Sequence, residues 1–247
     1  MAFRRISFRG VSGGVAENPK SGSGSSILWT LLSFVWLALA GYAALFVAPT
    51  EKTMGVIQRI FYFHVPSFWT AFVAIGTTTY ASIAYLKTRA PKWDWLAVSA
   101  AELGAVFLTI GLVTGPIWAK PVWGHWWVWD PRTTSTFVLW AMYVSYLLLR
   151  TLVEEPERRA LLSSVVAVFA CLDVPLVYFS IWWFRTLHPQ PVIGDGGSLD
   201  PTMGKVLLLC WGAMVALFLL VVRQRYRLEK LRAEVDGLRM EAERRAS

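Results

Sequence analysis

Apolar residues in this chain gather in blocks of about 20, the length at which a helix crosses a ~30 Å hydrocarbon layer. Six blocks stand out, at roughly 27–48, 67–87, 95–117, 135–150, 160–184 and 203–222. One ten-residue block would suit a buried core helix, but six near the spanning length predict six transmembrane helices. The fourth has a blurred start, because Thr133, Thr134, Ser135 and Thr136 break the apolar run. The pattern predicts an all-α, polytopic membrane protein. Composition agrees: 55% of residues are hydrophobic, 16% are charged and the mean hydropathy is +0.47.

The formal charge of +8 invites a nucleic-acid reading, so the placement of the 24 Lys and Arg matters. Four lie in residues 1–26, three in the 87–94 turn, three in the 150–159 turn and eight after residue 222. The opposite loops hold six: Lys52, Arg59, Lys120, Arg132, Arg185 and Lys205. Positive charge collects on the cytoplasmic side of a membrane protein, which predicts both termini inside. The excess charge is thus a topology signal, with no nucleic acid implied. The first span is too long for a signal-peptide core and lacks a clear cleavage site. Cys171 and Cys210 both lie in spans, with no CxxC or CxxCH, and no phosphate-binding GxxxxGK[ST] loop occurs. Any ATP must then be bound by another subunit.

The chain divides into a Gly/Ser-rich cytoplasmic arm at 1–26, a membrane domain at 27–222 and a basic amphipathic tail at 223–247. In the tail, Leu228, Leu231, Val235, Leu238 and Ala242 step 3-4-3-4. That stripe reads equally as a solvated extension of the last helix or as a docking strip. Three longer outer segments, 49–66, 118–134 and 185–202, are where a site is expected.

The 118–134 segment is the most distinctive. Trp123, Trp126, Trp127 and Trp129, four of the chain's 14 tryptophans, fall within ten residues that also hold Gly124, Asp130, Pro131 and Arg132. An interfacial aromatic belt spreads over many helix ends; this cluster does not. At helical spacing Trp123, Trp126, Trp127 and Asp130 share one face, and Pro131 ends that turn or starts a new helix. Indoles suit stacking on a planar macrocycle, Arg132 suits a carboxylate, and Asp130 suits orienting Arg132 or an indole N–H. Two histidines sit alike, His64 just before the second span and His188 just after the fifth, held out of helical geometry by Pro189. Paired imidazoles beside an indole shelf fit the axial positions of haem iron.

Two acids fall within spans, Glu102 and Asp173. Their cost in hydrocarbon implies that each faces the bundle interior or is protonated. Pro175 frees the carbonyl four residues back and predicts a kink in the fifth span, which Asp173 would support. Gly111 and Gly115 form a GxxxG pair read as close packing, with no site implied.

These elements together resemble the haem-handling WWD-domain family and, within it, the cytochrome c maturation protein C (haem exporter protein C) branch. The likeness rests on Trp123-Gly124-x-Trp126-Trp127-Val128-Trp129-Asp130-Pro131-Arg132-Thr133, on Phe63-His64-Val65-Pro66, and on Val177-Tyr178-Phe179-Ser180 followed by Trp182-Trp183-x-Arg185-Thr186-Leu187-His188. It covers about residues 28–222. The resemblance implies a multi-pass protein of the bacterial inner membrane that holds haem b outside, with His64 and His188 on the iron and the Trp loop as platform. It also implies delivery to a periplasmic membrane-anchored haem chaperone. The implied assembly contains an ATP-binding-cassette ATPase, its permease and a small one-span subunit. Two departures stand out: Thr134 follows Thr133 where Leu is expected nearby, and His125 replaces a small polar residue. His125 is read as an interfacial side chain, because paired loops already supply two ligands. Binding and presentation are favoured over catalysis. The rivals are a haem–protein ligase, for which no nucleophile is evident, a transmembrane haem conduit, and a structural subunit.

Overall fold

The computed structural model describes residues 23–184, 188 and 199–246. Most of the 1–26 arm, residues 185–187 and 189–198 of the third outer segment, and Ser247 lie outside the described residues. The described residues are mostly helical: α1 (Ser23–Tyr42), α2 (Phe61–Thr88), α3 (Pro91–Trp123), α4 (Pro131–Leu152), α5 (Pro156–Cys171), α6 (Asp173–Trp183) and α7 (Pro201–Ala246). A π-type turn at Ala43–Val47 extends α1, and a 3-10 turn at Val56–Ile60 leads into α2. Six helical segments are long and apolar enough to cross a membrane, α5 and α6 together making the fifth. The all-α, six-span expectation holds.

Local chemistry sets the boundaries. Four helices begin on proline, at Pro91, Pro131, Pro156 and Pro201, where a missing N–H costs nothing and the fixed φ suits the first turn. Asp130 and Glu155 cap the second and third of these. Asp130 accepts from the Thr133 N–H, and Glu155 from Glu157 and Arg158. At α7, Asp200 accepts from Thr202 and Met203 at 2.8 and 3.3 Å. The fourth span therefore starts at Pro131 rather than 135. Its hydroxyls bond inside the helix, Ser135 to the Pro131 carbonyl and Thr136 to that of Arg132, each at 2.7 Å. A polar sequence is thereby compatible with a helix.

Besides α4, three helices exceed their predicted spans. α3 has 33 residues and α7 has 46, about 50 and 70 Å at 1.5 Å per residue, so both project beyond the hydrocarbon. α2 starts six residues earlier than the apolar block, because Phe61 and Tyr62 are buried in an outer core with Trp118, Met203, Leu207 and Cys210. The inner core is built on small residues, including Ala71 and Ala74 of α2 and Ala100, Ala101 and Ala105 of α3. These permit the close backbone approach that drives helix pairing in lipid. α2 and α3 form the central pair, α7 and α5 pack against α2, and α1 packs against α7.

The fifth span breaks at Leu172, between α5 and α6. Pro175 cannot donate to the Cys171 carbonyl, and the Leu172 N–H turns instead to Phe169, at 3.1 Å. Where Pro175 predicts a kink the helix is interrupted at Leu172, with Asp173 as the first residue of α6. α5 packs on both α2 and α4, and α6 packs on α4. Between the outer ends of α2 and α3 and those of α4 and α6 lies a cavity.

Candidate functional site

The cavity has a volume of about 950 Å³, at the upper end of the ~300–1,000 Å³ usual for ligand sites. Its walls come from the outer ends of α2, α3, α4, α6 and α7 and from the loops joining them. Phe68 and Phe72 of α2 and Val177 and Ile181 of α6 give it an apolar floor, and His64, His188, Trp123, Trp126, Trp127, Asp130 and Arg132 all line it. The two histidines, 124 residues apart in sequence, thus face one space with three of the four clustered tryptophans.

His64 is not in a loop before the second helix, as the apolar pattern implied. It is the fourth residue of α2 and only 9% exposed. Its ring meets Phe68 and Trp118 edge-on, at centroid distances of 5.0 and 5.6 Å. Nδ1 lies 3.0 Å from Thr114 Oγ1, and that hydroxyl donates to the Ile110 carbonyl at 2.7 Å. With its hydrogen committed, the Thr114 oxygen accepts, so Nδ1 carries the ring proton and Nε2 keeps its lone pair. This is the arrangement that readies an imidazole as a metal ligand.

The GxxxG pair makes this packing possible. A Cβ at Gly111 would stand 2.4 Å from the Phe68 ring, and one at Gly115 would stand 3.3 Å from His64 Cε1. The motif read as packing alone makes room for a site histidine. Thr114, which the sequence reading passed over, lies between those two glycines; its place in the motif was the available signal.

The Trp loop differs from the helical face expected of it. Gly124 closes α3 in the left-handed region (φ 81°) and donates to the Lys120 carbonyl at 3.0 Å. Residues 125–130 then run without helix to Pro131, which opens α4. The glycine stops one helix and Asp130-Pro131 starts the next, leaving no room for a helical turn between. Trp123 and Trp118 remain on α3, their rings 6.2 Å apart. Trp129 does not line the cavity; it is 67% exposed and packs edge-on against Trp127 and Phe137, at 5.3 and 5.8 Å. Gly124 and Pro131 shape the loop without lining the cavity.

Asp130 has tasks the sequence did not suggest. One carboxylate oxygen caps α4, accepting from the Thr133 N–H and hydroxyl at 2.8 and 2.7 Å. The other lies 3.5 Å from His188 Nδ1. A carboxylate that fixes one ring nitrogen leaves the second for a ligand. His64, His188 and Arg132 face the same cavity. Arg132 Nη1, Trp127 Nε1 and Trp118 Nε1 are buried without an acceptor among the described residues. Buried donors of this kind call for a ligand that supplies acceptors, and the guanidinium fork matches a carboxylate. The residues therefore fit a large apolar ligand that carries carboxylates and a metal with two open positions.

The profile of the Heme exporter protein C family (CcmC) matches residues 19–241. The chain belongs to this family. It is 34% identical over 214 residues to Heme exporter protein C of Bradyrhizobium diazoefficiens, covering 86% of this chain and 81% of that protein. The Escherichia coli K12 protein of the same name is 36% identical over 181 residues, 68% of this chain and 71% of the relative. A putative cytochrome c biosynthesis ccmC-like mitochondrial protein of Marchantia polymorpha is 32% identical over 201 residues, covering 78% of this chain and 86% of the relative. Within the family profile fall the whole cavity and all but the last residues of α7.

Elsewhere, Glu102 does not line the cavity. It holds Arg225 of α7 through two bonds of 2.5 Å, near the basic end of the bundle. Asp173 stands at the α5–α6 break with Oδ2 buried and without a hydrogen-bond partner among the described residues. The tail continues α7 as helix, and Leu228, Leu231, Val235 and Leu238 are exposed on it.

Proposed function

We propose that this protein holds haem b at the outer face of the bacterial cytoplasmic membrane and passes it to a periplasmic membrane-anchored haem chaperone for c-type cytochrome maturation. Membership of a family named for haem export and relatives named for cytochrome c biosynthesis support a haem-handling role. The observation that carries the reading further is the convergence of two oriented imidazoles and a buried guanidinium on one aromatic cavity.

His64 and His188 ligate the iron through Nε2, each held by a partner on Nδ1. Trp123, Trp126 and Trp127 cover the macrocycle, with Gly124, Trp129 and Pro131 setting the loop's course. Arg132 takes a propionate, and Asp130 positions His188. Haem iron has two axial positions, and a protein that fills both with histidine suits holding and presentation rather than oxygen chemistry. Release then needs a competitor for the iron, which fits an assembly whose ATP-binding-cassette ATPase, permease and small one-span subunit are separate chains. The conduit reading loses one of its two intramembrane acids, since Glu102 is tied to Arg225.

The test is the absorption spectrum of the purified protein. The wild type is expected to carry low-spin, six-coordinate haem, and His64→Ala is expected to lose that signature while remaining in the membrane fraction. Colourless wild-type protein, or an unchanged spectrum in His64→Ala, would overturn the reading.

A further inference from the structure

The chain has three histidines, and all three line the same cavity. They differ in how firmly they are held. His64 is buried inside α2, pinned by Thr114 and flanked by two aromatic rings. His188 lies between α6 and α7, its side chain 28% exposed against Asp130. His125 is exposed, directly after the left-handed Gly124 that ends α3. It belongs to the same non-helical stretch as Trp126 and Trp127, which place that stretch along the cavity wall. The sequence reading set His125 aside as interfacial; its position on the cavity lining points elsewhere.

We propose that His125 is an exchange ligand that alternates with His188 on the iron, in a site that rests on the haem-holding function above. Three imidazoles line one cavity, and they differ in exposure. Iron in a porphyrin offers two axial positions, and three imidazoles compete for them. The buried, helix-borne His64 is the fixed member and keeps one position. His125 and His188, on two different connections outside the helices, share the other. No bond to the macrocycle changes: one Fe–N bond breaks as an equivalent one forms, each imidazole donating the lone pair it already has. The exchange gives the haem two held states. In one the outer ligand is backed by Asp130; in the other it is an exposed residue of the Trp loop, where a partner's ligand competes for it more readily.

The experiment is a cycle of four purified full-length proteins: wild type, His125→Ala, His188→Ala and the double variant. Because His125 is exposed, its replacement leaves the fold intact, and recovery in the membrane fraction with an unchanged circular dichroism spectrum checks this for each. Each single variant is expected to keep the low-spin, six-coordinate spectrum, and the double variant to lose it. Free imidazole is expected to restore it to the double variant. Loss of the low-spin signature in His188→Ala alone would overturn the proposal by showing that nothing replaces His188. Loss in His125→Ala alone would overturn it by making His125 the standing ligand. Retention in the double variant would overturn it by excluding both. Haem-free wild-type protein would instead strike the function on which the proposal rests, so the two failures are distinguishable.

Discussion

Asp130 joins two tasks that a substitution can separate. Its carboxylate caps α4 and also faces His188 Nδ1. Asn caps a helix about as well as Asp, whereas Ala costs ~1 kcal/mol of stability. Asp130→Asn is therefore expected to keep the thermal midpoint of the wild type and to bind haem more weakly, with Asp130→Ala losing on both measures. Thermal unfolding and haem titration in detergent separate the two effects. Equal haem affinity in the wild type and Asp130→Asn would show that the carboxylate does nothing for His188. Gly115 offers a second residue-scale test. A methyl group there presses on His64 Cε1 from 3.3 Å, so Gly115→Ala is expected to lower haem occupancy with little loss of stability. At Gly111 the added Cβ meets the Phe68 ring at 2.4 Å, and overpacking of that kind costs about 1–3 kcal/mol. Gly111→Ala is expected to lower the unfolding temperature as well.

The element that makes the cavity is the broken fifth span. α5 packs on α2 and α4, the helix breaks at Leu172, and α6 keeps to α4. A continuous helix would carry Val177 and Ile181 along the line of α5 and narrow the space they now line. Pro175→Ala restores a donor for the Cys171 carbonyl and is expected to straighten the span. Lower haem occupancy with equal or higher thermal stability is the outcome that follows. Unchanged occupancy would mean that helix packing alone holds the break. α4 shows the opposite relation of sequence to element: its polar start looked unhelical, yet Asp130, Ser135 and Thr136 satisfy the first turn from within.

Across the whole molecule, the cavity and the basic turns occupy opposite ends of the bundle. The cavity lies among the outer ends of five helices, while Lys87, Arg89, Lys92, Arg158 and Arg159 flank the α2–α3 and α4–α5 turns at the other end. That end is tied by two ion pairs, one of them largely buried. Arg150 grips Asp94 at 2.6 and 2.9 Å, with the Tyr146 ring 5.9 Å from its guanidinium, and Arg225 binds Glu102. The positive-inside rule then predicts that the cavity lies outside the cytoplasm. A reporter active only beyond the cytoplasmic membrane, fused after Trp126, is expected to be active; the same reporter after Val153 is expected to be silent. The reverse pattern would put the Trp loop on the wrong side for a periplasmic acceptor.

Sequence alone settled the class of this protein, because a hydrocarbon layer forces every backbone polar group into internal bonds and so writes helical spans as apolar blocks. It also picked out His64, His188 and the Trp loop, whose residue types are rare enough at that density to signal a ligand. Helix limits escaped it where aromatic packing beyond the bilayer, at Phe61 and Tyr62, or hydroxyls bonded within a helix, at Ser135 and Thr136, outweighed hydropathy. Only the folded chain could pair Thr114 with His64 and Asp130 with His188, turn Trp129 away from the cavity and set His125 on its wall. Those relations join residues up to 58 positions apart, and no local pattern encodes a contact made by helices that meet through their small residues.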